Sequence, residues 1–165
     1  MGVSGSGKTS VGKKLAKRFQ CEFVDADDFH TADNKAKMRS GVPLTDADRL
    51  PWLKKLASVI SEHQDTGTGL VLACSALKEA YRDILAGKSL NGSNDQPTFV
   101  YLKVGFEILE KRLIRRRHEF MNPSLLKSQF DALEEPKDAI VVDSAQPLNA
   151  TVEDIVAAIQ PTKLN

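Results

Sequence analysis

The spacing of hydrophobic positions changes several times along the chain, and each change marks an element. Val11, Leu15 and Phe19 recur at helical spacing between Lys8 and Phe19, with Lys13, Lys14, Lys17 and Arg18 on the other sides. "CEFVDAD", from Cys21, reads as a short strand ending in carboxylates, and residues 34–39 as a short helix stopped by Gly41 and Pro43. "LTDADRLPWLKKLASVISEH" predicts a loop and then a long amphipathic helix, with Asp48 as its cap and Leu53, Leu56 and Ile60 on the buried stripe. The unbroken apolar run "GLVLACSAL" is too short for a typical helix and reads as a buried strand. "KEAYRDILA" is helical, "GKSLNGSNDQP" a polar surface loop, "TFVYLKV" a strand and "FEILEKRLIRRR" a helix with a basic last turn. "NPSLLKSQFDAL" begins another helix with Pro123 near its first turn. "AIVVDS" is the last strand and "TVEDIVAAIQ" the last helix, capped by Thr151. Strands alternating with helices predict an α/β fold, its parallel sheet covered on both faces.

Composition narrows the picture. The 165 residues fit a single domain, 1–165, with room for a real core. The 23 basic and 22 acidic side chains leave a formal net charge of +1, which predicts no nucleic-acid partner. Cys21 and Cys74 both lie in apolar runs and are expected as reduced core residues rather than a disulfide or metal site. No apolar stretch approaches the length of a membrane span and no basic-then-apolar leader is present, so the expected location is the cytoplasm, away from membranes.

The chemistry begins at the first residues. Gly2, Gly7, Lys8 and Thr9 match G-x-x-x-x-G-K-S/T. In such a loop the glycines let successive N–H groups turn inward at phosphate oxygens. The nucleotide-binding stretch is therefore Gly2, Val3, Ser4, Gly5, Ser6, Gly7, Lys8, Thr9 and Ser10. Lys8 supplies a point charge near the β- and γ-phosphates, and Thr9 offers a hydroxyl to Mg²⁺. The loop feeds a helix N-terminus, which favours an anion. A strand is expected immediately before Gly2, inside the sheet. Met1 alone stands there, so the chain as written is expected to start late and to lack its first strand.

A phosphate loop does not name a reaction. The guanine signature N-K-x-D is missing, the length leaves no room for a motor or transporter, and "LVLACSAL" ends in Cys74 and Ser75 rather than in an Asp for magnesium. Carboxylates follow the strand after the loop helix instead, at "DADD". There one carboxylate can orient Mg²⁺-bound water and another can accept a hydroxyl proton. The stretch "DADDFHTADNKAKMRSGVPLTDADRLPWL" concentrates Asp, His, Asn, Lys and Arg, a set able to ring a hydroxyl-rich anion.

This stretch resembles the gluconokinase family of P-loop kinases, whose pattern runs D-x-D-D-x-H, N-x-x-K-M-x-x-G-x-P-L-x-D-x-D-R-x-P-W-L. The matching positions run from Asp25, Asp27, Asp28 and His30 through Asn34, Lys37 and Met38 to Asp46, Asp48, Arg49, Pro51, Trp52 and Leu53. "CSALKEAYRDIL" and "FMNPSLLKSQFDALEEP" are similar to two further family motifs, so the likeness covers nearly the whole chain. The resemblance implies a P-loop kinase three-layer sandwich, ATP and Mg²⁺ as cosubstrates, D-gluconate as acceptor, 6-phosphogluconate as product and a homodimer.

Carried over by position, it places Asp25 on Mg²⁺ and Asp27 on the acceptor hydroxyl as base. Arg49 and Lys78 become candidates for the gluconate carboxylate, with His30 and Ser75 nearby. An arginine suits a carboxylate because its fork is planar and bidentate. Arg112 and Arg116 share a helix face. In related kinases such arginines cover the nucleotide from a mobile lid, here near residues 115–124, and Arg116 would act catalytically. Trp52 reads as a core anchor, and Tyr81 and Arg82 as local packing. The sequence departs from the family at Thr31, where proline is common, and in the lid, where Glu119 takes the position of a histidine, Asn122 replaces a proline and His118 stands one residue early. Two other readings stay open: a kinase for another hydroxy acid such as shikimate, and a catalytically impaired nucleotide-binding protein.

Overall fold

Strands and helices alternate as the hydrophobic pattern predicts. The computed structural model describes residues 1–87, 96–115 and 124–159. Helix α1 (Lys8–Phe19) leads to β1 (Glu22–Asp25), a 3-10 turn (Ala26–Phe29), α2 (Ala32–Arg39) and α3 (Asp46–Asp65). Then come β2 (Leu70–Ala73), α4 (Glu79–Leu85), β3 (Val100–Lys103), α5 (Phe106–Arg115), α6 (Ser124–Asp131), β4 (Ile140–Asp143) and α7 (Leu148–Ile159). Every strand pairing is parallel. β1 lies beside β2 with Glu22 opposite Leu70, and β3 beside β4 with Val100 opposite Ile140.

Met1 and Gly2 tie these two pairs together. The Met1 amine donates to the Val100 carbonyl at 2.5 Å, and the Leu102 N–H donates to the Met1 carbonyl at 3.0 Å. That couple of bonds places Met1 opposite Tyr101 in a parallel ladder. The next residue turns the other way, and the Gly2 N–H donates to the Ser75 carbonyl at 3.1 Å, just beyond β2. An apolar cavity of about 710 Å³ adjoins Met1, bordered by Val71, Ala73, Phe99 and Leu102. Burial there lowers the Met1 amine from its usual 8.0 to about 5, with Lys8 pushing the same way.

Helices cover both faces. Val11 and Leu15 of α1 and Val152, Ile155 and Val156 of α7 pack with Leu102 and Val142. Trp52, Leu53 and Leu56 of α3 pack with Tyr81 and Leu85 of α4 and with Cys74. Val3 of the phosphate loop joins Leu77, Val104, Leu109 and Leu126 in a third cluster. Full burial of one such large apolar side chain contributes about 1.5–3 kcal/mol, so the loop has a packed floor of its own.

The structure corrects three details. Thr45, not Asp48, caps α3: its hydroxyl accepts from the Asp48 N–H, while the Asp48 carboxylate accepts from the Thr45 N–H. This reciprocal pair satisfies two end donors at once, which a lone Asp48 cap would not. Thr151 lies inside α7, buried, its hydroxyl donating to the Pro147 carbonyl at 3.4 Å, because the helix already begins at Leu148. Phe19 is exposed because it borders the open cavity. Thr31, where the family commonly has proline, caps α2 by accepting from the Asn34 N–H at 3.2 Å. Both cysteines are free thiols, and burial raises that of Cys74 to about 11. Among the described residues no helix is long and apolar enough to cross a membrane.

Candidate active site

Three backbone turns shape the loop. Gly2 (φ 142°), Gly5 (φ 79°) and Gly7 (φ 98°) all take the positive-φ region, and Gly7 stands immediately before α1. At Gly2 a side chain would also lack space: an added Cβ would lie 3.0 Å from both the Leu102 carbonyl oxygen and Ser6 Oγ. The Val3 carbonyl accepts from the Ser6 N–H at 3.2 Å and from Lys8 Nζ at 3.1 Å. Two side chains from far along the chain reach the same loop. Gln129 Oε1 accepts from the Ser4 N–H at 2.7 Å and Gln129 Nε2 donates to Ser4 Oγ at 3.2 Å. Ser144 Oγ donates to the Ser6 carbonyl at 2.5 Å. Ser10 is exposed in the first turn of α1.

The acidic turn after β1 closes onto this loop. Thr9 Oγ1 donates to Asp25 Oδ2 at 2.8 Å, and the other Asp25 oxygen accepts from the Asp27 N–H at 3.2 Å. Asp25 therefore both meets the loop and holds the backbone of the acidic turn at Asp27. Burial raises the Asp27 carboxyl above the usual carboxylate range, and the Lys8 ammonium opposes that. Burial lowers Lys8, opposed by Asp27, Cys74 and Asp25. His30 ends the turn and stacks on Trp52, ring centroids 4.4 Å apart. Trp52 is a core anchor whose Nε1 donates to the Ala26 carbonyl at 2.7 Å. The Nδ1 atom of His30 is buried without a hydrogen-bond partner among the described residues, and burial, with Arg49 and Lys35 nearby, lowers the imidazole from 6.5 to about 4.

Arg49 and Lys78 meet through two residues that the sequence reading left out of the site. Lys78 Nζ donates to both Asp46 oxygens at 2.8 Å, and the Tyr81 hydroxyl donates to Asp46 as well. Arg49 Nη1 donates to the Leu44 carbonyl at 2.5 Å and lies 3.4 Å from the Tyr81 hydroxyl, over whose ring its guanidinium sits. Tyr81 follows Lys78 by one helical turn, so the i, i+3 spacing in "LKEAY" was the available signal. Asn34 Nδ2 donates to the Asp48 carbonyl and Lys37 Nζ to the Asp48 carboxylate, which fastens α2 to the start of α3. Ser75 meets the site through its carbonyl, which holds Gly2. Arg112 is turned to the carbonyls of Ser144 (2.7 Å) and Ala145 (3.3 Å). These bonds tie α5 to the segment after β4. Arg116 and the lid around it, with His118, Glu119 and Asn122, lie outside the described residues.

Among the described residues no group of three or more His, Cys, Asp or Glu could by itself hold a metal ion. The Thr9 hydroxyl and the Asp25 carboxylate are hard oxygen donors, the kind that suits Mg²⁺ when a ligand's phosphates complete the shell.

Residues 4–160 match the shikimate kinase family. The chain is 45% identical to the probable gluconokinase of Mus musculus over 82% of this chain and 80% of that protein. It is 39% identical to the gluconokinase of Arabidopsis thaliana over 98% and 93%. Its fold superposes on the gluconokinase from Sinorhizobium meliloti 1021 with a TM-score of 0.83 at 38% identity, covering 98% of this chain and 90% of that one.

The buried imidazole gives a pH test. Unfolded, His30 takes a proton below about 6.5; folded, it does so only near 4. The unfolded state therefore binds more protons in that window, and His30 withdraws stability as pH falls from 6.5 to 4. His30→Phe keeps a ring against Trp52 and removes the titration. Its unfolding midpoint should fall less steeply than the parent's across that window, and parallel curves would refute the assignment.

Proposed function

The chain belongs to the gluconokinase family, and on that premise we propose that it transfers the γ-phosphoryl group of ATP to a hydroxyl of D-gluconate, giving 6-phospho-D-gluconate and ADP. The observation that carries the proposal is the 2.8 Å bond from Thr9 Oγ1 to Asp25 Oδ2. It joins the phosphate loop to the acidic turn, which supports a reading in which the triphosphate and the acceptor hydroxyl meet there.

In this reading the loop N–H groups cradle the phosphates, and Lys8 leaves the Val3 carbonyl for the β- and γ-phosphate oxygens. Thr9 and Asp25 would hold Mg²⁺, which when bound would supply neutralising charge to the phosphates. The acceptor hydroxyl oxygen forms the new bond to the γ-phosphorus as the bond to the bridging oxygen of ADP breaks, and the hydroxyl proton passes to Asp27. A carboxyl raised by burial is the better acceptor for that proton. Arg49 takes the gluconate carboxylate. A guanidinium has five donors, and among the described residues Arg49 bonds Leu44 and Tyr81 through Nη1. Lys78 stands beside it, held by Asp46, and His30 and Ser75 bound the hydroxyl-bearing chain. Arg112 and Arg116 serve the nucleotide side, Arg112 through its hold on Ser144. Family membership also supports a cytoplasmic enzyme acting as a homodimer, and the balanced charge supports the absence of nucleic-acid and membrane partners.

The test is a coupled ADP-release assay over a panel holding D-gluconate, related sugar acids and shikimate. Gluconate should give the highest kcat/KM, by at least tenfold. Faster turnover of shikimate, or none with gluconate, would overturn the substrate assignment.

A further inference from the structure

We infer that Gln129 and Ser144 are positioning residues that set the phosphate loop from outside, each by fixing one peptide plane. The inference rests on the nucleotide reading above but not on the acceptor's identity. A trans peptide is planar, so its C=O and N–H point opposite ways and holding one end aims the other.

Gln129 holds the peptide between Val3 and Ser4. Its Oε1 takes the Ser4 N–H at 2.7 Å, which turns the Val3 carbonyl to the inner side of the loop. There that carbonyl receives the Ser6 N–H and Lys8 Nζ. The second bond, from Gln129 Nε2 to Ser4 Oγ at 3.2 Å, stops the amide from rotating away. Ser144 holds the peptide between Ser6 and Gly7. Its hydroxyl binds the Ser6 carbonyl at 2.5 Å, so the Gly7 N–H is aimed away from Ser144, into the concave side where the motif places phosphate.

Each brace is itself fixed. Gln129 rides on α6, whose Leu126 packs with Val3, Leu77, Val104 and Leu109, with Phe130 and Leu133 against that cluster. Ser144 is buried, its N–H donates to the Lys103 carbonyl at 2.8 Å, and its carbonyl accepts from Arg112. The loop sequence supplies neither brace: Gln129 lies 125 residues from Ser4 and Ser144 lies 138 from Ser6. Glycines give the loop its freedom, and that freedom costs backbone entropy when a ligand orders it. Braces built into the fold lower that cost before nucleotide arrives, which is preorganisation.

The experiment compares the parent with Gln129→Met and Ser144→Ala. ADP affinity is read by calorimetry without acceptor, alongside the unfolding midpoint without nucleotide and the separate KM values for ATP and gluconate. Ser144→Ala removes the bond to the Ser6 carbonyl and Gln129→Met both bonds to Ser4, of which the one to the peptide N–H orients the loop; one such orienting bond is worth roughly tenfold in affinity. The expected result is about a tenfold rise in ADP Kd and ATP KM, gluconate KM within twofold of the parent, and Gln129→Met unfolding within a few degrees of it. Unchanged ADP affinity in both variants would overturn the inference, as would a rise in gluconate KM equal to that for ATP. A parent that binds no ADP would overturn the nucleotide reading and the braces with it. A parent that binds ADP but spares gluconate would overturn only the acceptor. If Ser144→Ala does not fold, Gln129→Met decides alone, because Gln129 is half-exposed and methionine matches its length.

Discussion

The backbone at Gly2 is the constraint on which the rest depends. At φ 142°, with the Leu102 carbonyl and Ser6 Oγ each 3.0 Å from where a Cβ would stand, this position accepts glycine and little else. One residue earlier the chain is paired in parallel with β3; one residue later it has left the sheet and entered the loop. The turn therefore fixes where the loop emerges, at the carboxyl ends of β2 and β3, the edge at which open parallel sheets bind ligands. β1 ends at the same edge, which is how Asp25 comes to touch Thr9. Sheet direction, loop position and the meeting of the two halves of the site follow from one geometry.

The acceptor side rests on electrostatics of a different kind. Asp46 takes bonds from Lys78 and Tyr81, and these lower its carboxyl below the usual range. In water such an exposed pair contributes little to stability. Here its effect is to place a cation: Lys78 is held at the mouth of the site, beside Arg49, whose own position is set by the Leu44 carbonyl and the Tyr81 ring. A site for a hydroxylated anion needs cations that stay in place more than it needs many of them. The neutral, buried His30 between Trp52 and the acidic turn adds a polar edge without adding charge.

Much of this was legible in the sequence, because short-range patterns set it. The apolar spacing gave the helix Lys8–Phe19, the glycines and Lys8 gave the loop, and the run of carboxylates after Cys21 gave the acidic turn that the fold brings to Thr9. Trp52 reads correctly as core because its apolar neighbours Leu53 and Leu56 share its stripe. What the pattern hid depends on contacts far apart in the chain or on competition between caps. Thr45 displaces Asp48 as cap because each can serve the other only in that order. Thr151 is drawn into α7 because the helix starts a turn earlier, at Leu148. Asp46 and Tyr81 join the acceptor cluster only when α3 and α4 pack together. Gln129 and Ser144 carry no local mark of their contacts with the loop, and neither does the hold of Arg112 on the carbonyls of Ser144 and Ala145.

The central claim is that the loop from Gly2 to Thr9 is a phosphate site whose charge serves the ligand rather than the fold. Lys8 tests it most directly, since its ammonium is buried and bonds the Val3 carbonyl among the described residues. The measurement is turnover and thermal unfolding midpoint together for Lys8→Ala beside the parent protein. The account predicts that phosphoryl transfer is abolished while the midpoint is kept or raised, because a buried charge has been removed. Activity within tenfold of the parent would contradict it.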